Sequence, residues 1–254
     1  MNICSSSKLL LLLPLLVGLL VGCGATIMPP DSVDQPRAVY LLQHARHSSL
    51  LLTTADSSRV RYAYGDWAWY VDEREGVYSG TRALLWPSRA ALGRLVVPPL
   101  EDGEQLERVI GVGIDRVNCL WLEAAIVDRL LAQLGAEYRA SAVPRKFSTT
   151  RSLHFVEYPR PYTLLHNSNH VTASWLRELG VGVRGSPIFG RWHLGAAAPQ
   201  CPDAALAVPR TTDGVVFDQR LNARRKLVAS LKPSKQPISA TGSVVPTRYS
   251  LASR

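Results

Sequence analysis

The sequence predicts an α+β fold in which an antiparallel sheet is packed by two main helices. Short runs rich in Val, Tyr, Leu and Trp recur between residues 38 and 165, and several alternate apolar and polar side chains as strands do. Two other segments, 118–134 and 171–179, repeat apolar residues at the spacing of an amphipathic helix. The length of 254 residues and the 46% hydrophobic content fit one globular domain with tails.

Residues 1–22 have the pattern of a secretory signal peptide. Lys8 precedes 14 almost wholly apolar residues, too few for a transmembrane helix, which needs about 20. The ending LVGC, with Cys23 last, resembles the bacterial lipobox, a signal in which the cysteine becomes the acylated N-terminus. A plain cleaved signal and an uncleaved anchor are the alternatives. Because Gly24 follows rather than Asp, the resemblance implies the periplasmic side of the outer membrane, with membrane lipid as the partner.

The four cysteines give little reason to expect a metal or redox centre. Cys4 would be removed with the signal peptide and Cys23 would be acylated, so Cys119 and Cys201 remain as free cysteines of the mature chain that could pair. An exported protein permits a disulfide between them, but the pattern does not require one. There is no C-x-x-C pair and no His-Glu-x-x-His helix, so we expect neither a metal site nor a cofactor.

The N-terminal part of the mature chain is predicted to be a tether followed by strands. Residues 23–37 carry few large apolar groups and are interpreted as a lipidated tether. Segment 38–54 predicts one or two strands, and 59–70 another that a bulge or turn interrupts at Gly65. On a single strand, His44 and His47 would face opposite ways because they lie three positions apart.

The remaining elements follow from the same periodicities. The clearest helix is 118–134, with Gly135 as its stop, and 171–179 is the second, ending at Gly180. Further expected elements are a helix over 81–93 and strands over 94–98, 107–113, 153–158 and 162–165. Together these bound a domain over 38–195.

Residues 196–254 are predicted to be a basic, mostly disordered tail. They are rich in Pro, Ser and Ala, without a sustained period. Of the net charge of +9, the stretch from 193 onwards supplies nine Lys/Arg against three Asp, so the domain itself is close to balanced. We therefore expect no nucleic-acid partner. Weak contact of the tail with anionic lipid or cell-wall polymer is the functional alternative to a solvated segment.

A candidate chemical centre lies where a strand is expected to meet the second helix. The first turn of a helix offers free N–H groups and a positive dipole end, which suit a nucleophile and a developing oxyanion. Ser168 lies at such a junction, and a strand-borne histidine such as His47 is a suitable general base. The same Asn167-Ser168-Asn169 run is also a good N-cap cluster without any catalysis.

Three short motifs carry a family resemblance. They are His44-Ala-Arg-His47-Ser-Ser, Tyr64-Gly65-Asp66 and Asn167-Ser168-Asn169-His170. Their order and spacing over 38–192 resemble an uncharacterised bacterial family, domain of unknown function 2459. Its pattern has a His-Gly-x-His-Thr-Gly strand, a Trp-Gly-Asp strand and a Thr-Cys-Asn helix start. The order is also similar to that of the circularly permuted, papain-like NlpC-type amidohydrolases.

The resemblance implies roles for individual residues. His47 matches the base and Asp66 a polar position that would orient it, while N–H groups near Asn169 and His170 would hold the oxyanion. Ser168 stands where the family has Cys. A cysteine thiol has a pKa of about 8.5 and can be ionised at such a site, whereas a serine hydroxyl needs a base to take its proton during attack.

The expected function follows from this departure. We expect an envelope lipoprotein with a papain-like cleft that hydrolyses or binds an amide or ester, such as a cell-wall peptide or acyl group. The alternative is a catalytically inactive lipoprotein with a binding or scaffolding role, because a papain-like site with Ser in place of Cys is weakened.

Overall fold

The computed structural model describes residues 24–74, 86–97, 103–110 and 113–195, which form an α+β fold. The strands are β1 (Ala25–Met28), β2 (Pro36–His44), β3 (His47–Thr53), β4 (Arg59–Asp66), β5 (Ser88–Val97), β6 (Arg116–Glu123), β7 (Lys146–Ser148), β8 (Leu153–Tyr162), β9 (Gly182–Gly185) and β10 (Trp192–Leu194). Within the described ranges the helices are α1 (Trp67–Tyr70), α2 (Gly103–Ile110), α3 (Ala124–Ala140) and α4 (Ser168–Glu178).

The strands form two sheets. The larger has seven strands in the order β6-β2-β3-β4-β5-β8-β7, and every neighbouring pair is antiparallel. In the smaller sheet β1 lies between β10, to which it is parallel, and β9, to which it is antiparallel. The mostly antiparallel α+β class is therefore as predicted, whereas the second sheet was not predicted.

The segment interpreted as a tether contains a strand. β1 occupies residues 25–28, and its side chains alternate between buried and half-buried. Ala25 and Ile27 belong to the main hydrophobic core, so the chain is fixed from residue 25 onwards. The prediction of a tether was wrong for these residues because β1 buries only two apolar side chains, those of Ala25 and Ile27. Two such residues are too few to form a recognisable strand pattern in the sequence.

The segment 38–54 is a hairpin rather than one strand. β2 and β3 are joined at Ala45 and Arg46, and Ala45 takes a positive φ of 51°. His44 and His47 are direct cross-strand partners. Opposite residues of an antiparallel pair share a face of the sheet, so the expectation that these imidazoles face opposite ways is wrong.

The predicted helix 118–134 divides into a strand and a helix. Its first part belongs to β6, where Leu120 and Leu122 alternate with half-buried residues and pair with β2. The helical part is α3, which starts at Ala124 and continues through Gly135 to Ala140. Gly135 does not stop the helix because Leu134 and Tyr138 on either side of it are packed into the core.

Other predicted elements also differ from those in the structure. Residues 88–93 belong to β5 rather than to a helix, and residues 81–85 of that prediction lie outside the described residues. The predicted strand 107–113 overlaps α2, whose Leu106 and Ile110 are buried four residues apart. The predicted strands 153–158 and 162–165 are not two separate strands. Residues 153–162 form the single strand β8, and a turn follows it. α4 ends where expected, with Gly180 at a φ of +81°.

The large sheet is covered on both faces. α3 and α4 pack on one face and bury a continuous apolar core. α2 and α1 pack on the other face, in two smaller clusters. Among the described helices, none has the length and apolar character needed to cross a membrane. The predicted signal peptide, Cys23 and the tail 196–254 lie outside the described residues.

Candidate functional site

His47 and Ser168 meet at one end of the large sheet. His47 begins β3, and Ser168 is the first residue of α4. The distance between His47 Nδ1 and Ser168 Oγ is 3.1 Å, within hydrogen-bond range. The structure therefore brings together the two residues that the sequence proposed as base and nucleophile, although they lie 121 positions apart.

Asn167 and Asn169 fix the start of α4. Asn167 is the N-cap, and its Oδ1 accepts the backbone N–H groups of Asn169 at 3.0 Å and His170 at 3.1 Å. The side-chain amide of Asn169 donates to the carbonyl of Arg46 at 2.8 Å and accepts from the hydroxyl of Ser48 at 2.8 Å. These bonds tie the first turn of α4 to the hairpin that carries His47.

The same capping bonds occupy the groups expected to hold an oxyanion. The N–H groups of Asn169 and His170 both donate to Asn167 Oδ1, and His170 Nδ1 lies 3.0 Å from the same oxygen. In this structure the donors are therefore satisfied by the cap. An oxyanion would have to displace the Asn167 side chain to use them.

Tyr70 is a member of the site that the sequence argument missed. Its hydroxyl hydrogen-bonds the Ser168 side chain, and burial raises the pKa of Tyr70 to about 12, so the phenol stays protonated. The Tyr70 ring meets the His47 ring edge-on, with centroids 5.5 Å apart and planes at 82°. Ser168 Oγ thus has two polar neighbours, an imidazole and a phenol.

Gly65 provides the space for Tyr70. A Cβ atom on Gly65 would lie 2.4 Å from ring atoms of Tyr70, far inside van der Waals contact. The aromatic helix α1 therefore folds back over β4 only because residue 65 has no side chain. The signal in the sequence is the Gly65-Asp66 pair followed by Trp-Ala-Trp-Tyr, a run that the pattern predicts as a strand interrupted by a bulge or turn.

Asp66 was expected to orient His47, but its hydrogen bonds in the structure go to other residues. Its Oδ1 accepts the backbone N–H of Trp69 at 2.8 Å, which caps α1, and its Oδ2 accepts the hydroxyl of Ser88. Both carboxylate oxygens are thus used at the start of α1. Asp66 positions Tyr70 at the other end of that helix, and the packing of Tyr70 orients His47.

A buried polar cluster continues from His47 across the sheet. We call His44, His47, Ser49, Arg61 and Tyr70 the polar seam. His44 Nδ1–H donates to the Gly113 carbonyl at 2.8 Å, which leaves Nε2 to accept from Ser49 Oγ at 2.9 Å. Arg61 is only 3% exposed, and its nitrogens donate to neutral acceptors, among them Ser49 Oγ at 3.1 Å.

The seam holds its imidazoles in the neutral form. Burial, together with the positive charges of Arg151 and Arg46, lowers the pKa of His47 to about 4. Burial and the Arg61 charge lower the pKa of His44 to about 3. Burial lowers the pKa of Arg61 to about 9, which still leaves a cation at neutral pH. His47 is therefore able to accept a proton at neutral pH, but it is a weak base.

The site is closed in this structure. Ser168 is 1% exposed and His47 is half-buried, so a substrate could reach Oγ only if neighbouring side chains moved. An open groove of about 210 Å³ lies elsewhere, between Pro30, Val33, Pro36 and Trp121. Within the described ranges, no three His, Cys, Asp or Glu side chains come together as metal ligands would.

Comparison of the chain with family models, with curated proteins and with solved structures found no match. The atoms of the candidate site are a serine hydroxyl at a helix start, a neutral imidazole at 3.1 Å, and a protonated phenol that also contacts the serine.

Proposed function

We propose that this chain is a bacterial envelope lipoprotein whose permuted papain-like domain hydrolyses or binds an amide or ester, such as a cell-wall peptide or an acyl group. The observation that carries the proposal is the 3.1 Å contact between His47 Nδ1 and Ser168 Oγ at the start of α4. A nucleophile, a base that orients it and a third group that fixes the base are the parts that acyl transfer needs.

In the proposed reaction, Ser168 Oγ attacks the carbonyl carbon while its proton passes to His47 Nδ1. The tetrahedral oxyanion collapses to an acyl-serine, and the leaving amine or alcohol takes the proton from His47. Water then attacks the acyl-serine with His47 as base, which releases the acid and restores the hydroxyl. The Tyr70 phenol, protonated at neutral pH, is the donor placed to stabilise negative charge near Oγ.

Specific observations favour an inactive, binding or scaffolding lipoprotein as the second candidate. A base works best when its pKa lies near the working pH, and burial holds the pKa of His47 at about 4. The expected oxyanion donors are capped by Asn167, and Ser168 is almost fully buried. On this alternative, the same hydrogen bonds serve to hold α4 against the sheet.

Four variants separate the two candidates. Hydrolysis of water-soluble short-chain esters and cell-wall peptide amides is measured for the native chain, Ser168→Ala, Ser168→Cys and His47→Ala. Ser174→Ala, an exposed serine on the same helix, is the matched control. If the chain is a serine hydrolase, Ser168→Ala and His47→Ala each lose at least 100-fold in kcat/KM, while Ser174→Ala keeps the native value.

Other outcomes support the second candidate. Activity that appears only in Ser168→Cys indicates a thiol site that has decayed to serine. Absence of activity in every variant, with native circular dichroism, contradicts hydrolysis and leaves the binding role.

The cellular location of the protein is a separate part of the proposal. The Leu-Val-Gly-Cys23 ending supports acylation, and Cys119 is disulfide-bonded, which supports an oxidising compartment such as the periplasm. Mass spectrometry of the mature N-terminus tests it. Acylated Cys23 is the expected result, and an unmodified N-terminus at another residue would contradict it.

A further inference from the structure

Three exposed apolar side chains gather at the end of the sheet that holds Ser168. In the described residues, the large apolar side chains that are exposed number five, and Trp86, Leu164 and Leu165 are three of them. Leu165 is 77% exposed and Trp86 is 65% exposed. Trp86 lies two residues before Ser88, which pairs with Tyr162, so it stands level with the turn that follows β8.

The turn itself is unusual in composition. Thr163 and His166 exchange backbone hydrogen bonds of 3.2 and 3.1 Å around a two-residue tip, which is Leu164-Leu165. Gly, Asn and Asp are the residues that such tips favour, because of their backbone freedom and local hydrogen bonds. Two leucines bring neither property, so turn formation does not explain them. They present apolar surface directly outside the site.

The point where the chain would leave for its anchor lies at the same end. Asn167 donates through its side-chain amide to the carbonyls of both Leu164 and Ile188, at 3.3 Å each. Two residues further on, a Cβ atom on Gly190 would lie 2.8 Å from the carbonyl oxygen of Arg46, so the chain passes close to the β2–β3 turn. The next carbonyl, that of Arg191, accepts the N–H of Ala25 at 2.8 Å.

That path runs from the leucine tip through the cap of α4 and the chain segment 188–191 to the first strand. Gly24 precedes Ala25, and the acylation position Cys23 is bonded directly to Gly24. A lipid on Cys23 would therefore enter a bilayer close to the tip.

The charges at this end suit a phospholipid surface. Arg46, Arg160 and Arg191 are exposed there. Asp115 also lies at this end, and its carboxylate is held by the N–H of Ala45. Tryptophan at the headgroup level, leucines below it and arginines around them form the arrangement seen where proteins rest on anionic membranes.

We propose that the Leu164-Leu165 tip and Trp86 dock on the leaflet that carries the Cys23 anchor, so that the Ser168 end of the domain faces the membrane. The inference rests on the acylation part of the proposed function and is independent of whether Ser168 is catalytic. The occupant to which it commits is the bilayer itself, in particular one that contains anionic phospholipid.

Depth-dependent quenching tests the inference on the full acylated chain. Leu165→Cys is labelled with an environment-sensitive NBD fluorophore and reconstituted into vesicles of phosphatidylethanolamine and phosphatidylglycerol, with or without brominated acyl chains. Phe147→Cys is the matched control, because Phe147 is 53% exposed but lies at the opposite end of β8. Labelling of the unsubstituted chain gives the background.

We expect brominated lipid to quench the residue-165 label at least threefold more than the residue-147 label. Equal quenching, or stronger quenching at 147, overturns the docking inference. So does a 165 label that responds to added protein but not to brominated lipid, which would indicate a protein partner. Flotation separates the two claims: a chain that floats without preferential quenching contradicts docking alone, and one that does not float contradicts the anchor and docking together.

Discussion

Both faces of the seven-stranded sheet bury apolar clusters, but they differ in the ionisable side chains that they bury. Under α3 and α4 most strand side chains are aliphatic or aromatic, among them Leu41, Leu50 and Leu52, all fully buried. The buried polar side chains of Gln43, Ser48 and Asn118 share this face. The opposite face, between α1 and α2, carries the polar seam, with Arg61 buried beside His44 and Ser49. The two faces alternate residue by residue along the same strands.

The difference shows that stability and chemistry are divided between the faces. Each apolar side chain buried under α3 and α4 stabilises the fold by about 1.5–3 kcal/mol. Burying Arg61 and two imidazoles costs free energy, which their mutual hydrogen bonds only partly offset. The polar seam can therefore exist because the other face holds the sheet.

Truncation on the apolar face should have the largest effect. Leu50→Ala removes a fully buried side chain of the main core and should lower the free energy of unfolding by about 2–5 kcal/mol. Urea denaturation followed by circular dichroism measures it. A loss below 1 kcal/mol would mean that the core can collapse around the cavity and that the face contributes less than assigned here.

Acidification should act on the histidines whose pKa is lowered, which are His44 and His47 in the polar seam and His166 and His170 outside it. The pKa values of His47 and His44 are lowered from 6.5 to about 4 and about 3, so the unfolded chain binds protons that the folded chain excludes. Stability should be fully present above pH 6.5 and should fall by about 2 kcal/mol per imidazole by pH 5. Denaturation at pH 7 and pH 5 measures the change. His47→Gln should remove its own share, and stability that does not change with pH would contradict the burial of both rings.

A methyl group at Gly65 should disturb the seam through Tyr70. Gly65→Ala places a Cβ atom 2.4 Å from the Tyr70 ring and should cost about 1–3 kcal/mol. Gly135→Ala is the control: its Cβ would meet the flexible end of Arg139 at 3.2 Å, and alanine is the better helix former. We expect Gly135→Ala to stabilise the protein slightly. Equal effects of the two variants would contradict the tight seat of Tyr70.

Loss of the α1 cap should have the smallest effect. Asp66→Ala removes the acceptor for Trp69 N–H and should cost about 1 kcal/mol, whereas Asp66→Asn retains an acceptor and should cost less. Thermal denaturation measures both. If the chain hydrolyses esters, Asp66→Asn should retain the pH profile of the native chain. A shifted profile would indicate that Asp66 acts on His47 after all.

Local pattern was sufficient for some features and insufficient for others. The α+β class and the cap-rich start of α4 followed from periodicity and from Asn167-Ser168-Asn169. The segment 118–123 was misassigned because a short apolar run satisfies both the period of a strand and that of a helix. These residues form a strand because they pair with β2, and this pairing cannot be recognised from the local sequence.

The candidate site shows the same limit. Ser168 and His47 could be proposed from residue chemistry, and their 3.1 Å contact agrees with that proposal. Tyr70 could not be found in this way, because its approach to Ser168 depends on the missing side chain of Gly65 and on the short helix capped by Asp66. Asp66 was predicted to orient His47, but its carboxylate accepts from Trp69 and Ser88 instead. A carboxylate next to a turn has several donors within reach, and the local sequence does not select among them.

By itself, the sequence determined the balance of apolar and charged residues, the alternation that makes strands, the glycine that ends α4 and the lipobox-like ending before Gly24. These are properties of neighbouring residues, and short-range sterics and hydrophobicity are enough to specify them. Only the tertiary structure decided that His44 and His47 stand side by side, that Tyr70 contacts Ser168, and that Asn167 links the Leu164-Leu165 tip to the segment that pairs with the first strand. Those contacts join residues up to more than a hundred positions apart, and strand register together with helix docking sets them.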